Sequence, residues 1–157
     1  MPLSLTSHHL ALLAAGVLAQ APASTPATAV TALVEKCVPA VNQAERSATF
    51  AAQMTAVPGT QRMSMRIEVQ ERTPTEPVFH TIVAPGLGLW RSSEPGVKVY
   101  KYVKELTNLA APAAFRVQVR YRWLDDHGRL IKRAQRRSPA CLQPVDIPSS
   151  TARMPGE

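Results

Sequence analysis

Few residue types in this chain carry chemistry beyond folding, and their spacing decides what they can do. After residue 29 the only histidines are His80 and His127, and His127 sits in the run Asp125-Asp126-His127-Gly128. A Ser-His-Asp or two-carboxylate centre draws its members from separate elements that converge on one pocket. Here the acids and the base are sequence neighbours in a turn-forming run, and no G-x-S-x-G accompanies them. The Pro85-Gly86-Leu87-Gly88 run lacks the Gly-Lys-Ser/Thr ending of a phosphate loop. No cluster of Asp, Asn and Gly has calcium-loop spacing. Met63 and Met65 are soft enough for a metal, but Met at this spacing is ordinary core filler. These residues point to a protein that is not an enzyme and holds no cofactor, with a secreted hydrolase or inhibitor as the weaker alternative.

The two cysteines, Cys37 and Cys141, belong to no C-x-x-C, and no histidine lies at ligand spacing from either. A redox pair or half a metal site is the functional alternative. The expectation is a single disulfide tying the first strand of the domain to its last, which needs an oxidising compartment. Closing so long a loop stabilises a fold by roughly 4 to 5 kcal/mol in the chain-entropy picture.

One cluster stands above background. Arg116, Arg120, Arg122, Arg129, Lys132, Arg133, Arg136 and Arg137 fall within 22 residues, opposed only by Asp125 and Asp126. Planar guanidiniums hold phosphate and carboxylate groups bidentately. Arg116, Arg120, Arg122, Lys132, Arg133 and Arg136 are therefore the candidate anion-binding residues. A solvated sheet face whose charges protect an edge is the competing reading.

The elements that must position these residues are strands. From Phe115 the chain alternates Phe115, Val117, Val119, Tyr121 and Trp123 against Arg116, Gln118, Arg120 and Arg122, which marks a strand with one buried and one wet face. Pro112 precedes it, and the Asp125–Gly128 turn leads into a further strand over Arg129–Ser138. Upstream, Thr31–Ala40 reads as an edge strand with Pro39 where a missing N–H is tolerated. Ser47–Val57 and Arg62–Arg72 each alternate as well, with Met63, Met65, Ile67 and Val69 inward in the second. The four residues Pro58-Gly59-Thr60-Gln61 between them predict a hairpin. Thr73–Pro77 is a turn, Val78–Val83 a short strand, and Arg91–Gly96 a polar link. Val97–Leu106 is a strand with large groups on both faces, Tyr100 and Tyr102 on one and Val97, Val99 and Val103 on the other.

At 157 residues the chain suits one domain, and its fourteen prolines favour turns over long helices. Residues 1–29 read as a secretory leader, with the apolar run Leu10–Ala19 too short to span a bilayer. The domain is expected over residues 30–141. Residues 142–157 form a Pro- and Ser-rich tail with little to bury, expected to be disordered. No Lys, Arg, Asp or Glu precedes Glu35, so loss of a leader leaves the formal charge of +7 intact. A basic surface attracts polyanions.

Leu109, Pro112 and Phe115, followed by Val117 and Val119, resemble the E–F corner of a fibronectin type III or immunoglobulin-like domain of a secreted bacterial protein. Phe115 stands where that family usually has a tyrosine bonded back to nearby backbone, and the strand-C tryptophan is replaced by Met65 and Ile67. The cysteines do not match the antibody B–F bridge. The resemblance implies an all-β, immunoglobulin-like antiparallel sandwich of about seven strands. It implies no particular function. The expected role is a secreted, monomeric binding or structural module without a transmembrane anchor. Its partner would be a protein or an anionic cell-envelope polymer, not a specific nucleic-acid sequence.

Overall fold

In the computed structural model residues 29–145 are described. The leader read over residues 1–29 therefore lies outside the described residues except for Ala29, as does the tail beyond Val145. Among these described residues nine strands follow in order: β1 (Val30–Val38), β2 (Ser47–Thr55), β3 (Arg62–Arg72), β4 (His80–Thr81), β5 (Trp90–Ser92), β6 (Val99–Thr107), β7 (Ala113–Leu124), β8 (Leu130–Arg137) and β9 (Cys141–Gln143). A short 3-10 turn at Gln43–Glu45 links the first two. The fold is all-β, two antiparallel sheets packed as a sandwich. The two strands beyond the seven read from sequence are the three-residue β5 and β9.

Strand β7 is central to the larger sheet. Its apolar face, Phe115, Val117, Val119, Tyr121 and Trp123, is buried throughout. β3 pairs along its whole length from Arg62–Leu124 to Arg72–Ala114, β8 pairs on its other side, and β4, β5 and β9 extend the edges. The smaller sheet runs β1-β2-β6. Ala48, Phe50, Ala52 and Met54 face Met63, Met65, Ile67 and Val69 and the β7 row across one continuous core. The methionines are core filler, as their spacing predicts. In β6 the Tyr100, Tyr102 and Leu106 side packs on the core, whereas Val99 and Val103 are exposed.

Two aromatic heads stitch the sheets together. Trp123 Nε1 donates to the Thr55 carbonyl at 2.8 Å, and the Tyr121 hydroxyl donates to the Thr31 carbonyl at 2.6 Å. Both groups would be costly to bury unpaired. At the far end the Cys37–Cys141 disulfide joins β1 to β9, first strand to last. Cys141 is buried and Cys37 exposed. Strand β9 runs to Gln143, two residues beyond the domain boundary read from sequence.

The hairpin expected between β2 and β3 does not form. β2 pairs with β1 and β6, β3 with β4, β5 and β7, and residues 58–61 carry the chain from one sheet to the other. Each strand has one apolar face, and here those faces meet across the core. Thr60 N–H donates to the Val57 carbonyl, and Gly59 takes φ +84° in the turn. Gln61 N–H then donates to the Leu124 carbonyl and fixes the register of β3 on β7.

Candidate anion-binding face

Residues opposite one another in an antiparallel ladder point to the same face. The register of β3, β7 and β8 therefore assigns the outer face of the larger sheet residue by residue. β3 contributes Arg62, Ser64, Arg66, Glu68, Gln70 and Arg72, and β7 contributes Arg116, Gln118, Arg120 and Arg122. β8 adds Arg133, Gln135 and Arg137. Eight arginines thus share one face with a single carboxylate, Glu68.

Glu68 is nearly buried among them. Its carboxylate lies 3.0 Å from Arg66 Nη2 and 3.5 Å from Arg120 Nε, and it accepts from Gln118 Nε2 at 3.4 Å. Gln118 in turn accepts from Arg137 Nε at 3.0 Å, and Gln70 accepts from Arg116 Nε at 2.8 Å. This explains why Gln118, on the wet side by alternation, is only 8% exposed: long arginine side chains lie over it. Arg66 Nε is buried beside Gly88 and has no acceptor among the described residues.

Two rings, Phe79 just before β4 and Trp90 at the start of β5, pack against three of the guanidiniums. Arg116 Cζ stands 3.9 Å from the centre of the Phe79 ring, with Arg72 at 4.9 Å from the same ring. Arg122 Cζ stands 3.8 Å from the centre of the Trp90 ring. Stacking of this kind holds the planar group while leaving its N–H edge free for an anion. Burial, and then the charges of Arg137 and Arg72, lower the Arg116 pKa from its ordinary value. The fold therefore gathers like charges that an anion would relieve. Beside Trp90, a shallow solvent-open depression of about 400 Å³ is lined by Arg120, Arg122, Arg133 and Gln135.

Of the six candidate residues, the structure brings four together: Arg116, Arg120, Arg122 and Arg133. Lys132 and Arg136 do not join them. They pair with Trp123 and Val119 and so belong to the opposite side of β8. Lys132 Nζ sits 5.4 Å from the centre of the Trp123 ring. Charges pointing inward from an edge strand hinder pairing with a second chain. Arg62, Arg66 and Arg72 were hidden because β3 was expected to pair with β2. Trp90 and Phe79 have no periodic signal in the sequence at all.

The Asp125–Gly128 run is a tight turn. Asp125 Oδ1 accepts from the His127 and Arg129 N–H groups at 2.9 and 2.8 Å, and Oδ2 accepts from Arg129 Nε at 2.8 Å. Those bonds, the Arg129 N–H foremost, hold the Asp125 carboxyl below its ordinary pKa. Asp126, which is exposed, lies with its Oδ1 2.7 Å from His127 Nδ1. His80 pairs with Glu76 at the other end of β3, so the two histidines do not converge. No helix among the described residues is long and apolar enough to cross a membrane. No protein-family model, curated protein or solved structure matches the chain.

Proposed function

We propose that this protein is an extracytoplasmic, non-enzymatic binding module of immunoglobulin-like, fibronectin type III-like build, and that it meets an anionic partner through the outer face of its larger sheet. The observation that carries this reading is the set of eight arginines around one carboxylate on a single sheet face. The strand order supports the family: β1-β2-β6 corresponds to A-B-E, and β3-β7-β8 to C-F-G, with β4 beside C. Leu109 is buried at the corner before β7, where the family places its leucine. The Cys37–Cys141 disulfide and the leader read at residues 1–29 favour an oxidising compartment.

The test is retention on an immobilised polyanion, such as dextran sulfate, as a function of salt. Screening of exposed charges predicts a steep loss between low and high ionic strength. Neutralising Arg116, Arg122 and Arg133 to Gln should reduce retention far more than neutralising Lys36, Lys98 and Lys101, which lie on or beside the smaller sheet. Equal effects from the two triple variants would refute a dedicated face.

A further inference from the structure

The eight arginines are not equivalent. Arg66 and Arg120 are matched by Glu68 in the middle of the face. Toward the start of β7, Arg72 and Arg116 share the Phe79 ring, and Arg137 lies one register step away on β8. Toward its end, Arg122 and Arg133 are direct cross-strand partners beside Trp90. None of these five makes an ion pair among the described residues. The face therefore holds two unmatched cationic clusters with a partly neutralised centre between them.

Arg116 and Arg122 are six positions apart on one strand, which at strand rise separates the clusters by roughly 20 Å. Each cluster is shallow and open, so a single small anion there would be well screened and weakly held. An extended ligand engaging both turns the second contact into an intramolecular one and gains strongly in effective concentration. The aromatic stacks increase that gain, because Arg116 and Arg122 are already fixed before binding. Resting on the anion-binding reading above, we infer that the partner is a linear, repeatedly charged polymer lying along β7 and bridging the two clusters. Its charges are phosphates or carboxylates. The disulfide favours a polymer of the oxidising side over nucleic acid.

The experiment is a titration of the oxidised full chain, followed by calorimetry at fixed low ionic strength, with chain-length series of linear polyphosphate and of oligogalacturonate. Affinity should step up about 100-fold once an oligomer becomes long enough to span both clusters. A step with only one series identifies the charged group; a step with both shows that charge spacing decides. R122Q/R133Q and R72Q/R116Q should each abolish the step while leaving short-oligomer binding at the other cluster, with far-UV dichroism confirming the fold. A smooth rise with oligomer charge and no step overturns the bridging inference while leaving the anion-binding reading intact, and that result needs no variant. Stronger binding of a DNA duplex than of either polymer overturns the assignment to a polymer other than nucleic acid. No binding of any oligomer at low salt removes the anion-binding reading itself.

Discussion

Replacing Trp123 by alanine probes whether β7 faces the core as its alternation requires. The indole is fully buried, and its Nε1 donates to the Thr55 carbonyl at 2.8 Å across the sandwich. Removing a buried aromatic costs about 3 to 5 kcal/mol in transfer and cavity terms. The Thr55 carbonyl, left without its donor, adds about 1 kcal/mol. The expected loss is therefore about 4 to 6 kcal/mol, a large share of the stability of any single domain. Trp123→Phe keeps most of the volume but not the donor, and should cost about 2 kcal/mol. Equilibrium unfolding in urea, followed by far-UV dichroism so that the probe does not vanish with the residue, measures both. The slope m should stay constant, marking a stability change rather than a changed unfolded state. A loss below about 1 kcal/mol for Trp123→Ala would refute the inward orientation of β7, and with it the outward row that builds the candidate site.

Two other outcomes follow from the same frame. Cys37→Ala/Cys141→Ala opens a loop of sequence separation 104 and should lower the unfolding free energy by about 4 to 5 kcal/mol in urea titrations; a change below 1 kcal/mol would mean the bond adds little to the sheets. Burial holds the Tyr121 phenol above its ordinary pKa of 10.0, so above about pH 10 the unfolded chain sheds that proton while the folded chain keeps it. Stability should accordingly be full below that point and fall as pH rises. Tyr121→Phe should cost about 1 kcal/mol at neutral pH through the lost bond to Thr31, and should make the alkaline decline shallower in pH-jump unfolding curves.

Much of the fold was legible because period-two alternation reports a face directly. Phe115 to Trp123 and Met63 to Val69 were assigned inward from pattern alone and are buried. The same pattern says nothing about which strand lies alongside. That is why β2 and β3, each with a sound inner row and six residues between them, read as a hairpin yet belong to different sheets. Side chains on β6 were ambiguous for a related reason: Tyr100, Tyr102, Val99 and Val103 are all large, and only the position of the opposing sheet selects the tyrosines.

The partial legibility of the site has the same origin. Arg116, Arg120 and Arg122 were visible because one strand carries them in phase. Arg133 and Arg137 share their face while Lys132 and Arg136 do not, because the pairing Arg122–Arg133 sets the phase of β8. Counting basic residues along the hairpin cannot separate those two sets; fixing the register does. The three arginines missed on β3, Arg62, Arg66 and Arg72, were already outward by alternation and lacked only their neighbour. Once β3 lies against β7, two unremarkable strand faces merge into one surface, and Glu68 becomes the lone counter-charge within it. The candidate site is thus a property of strand order more than of any local motif, which is why no signature in the sequence announces it.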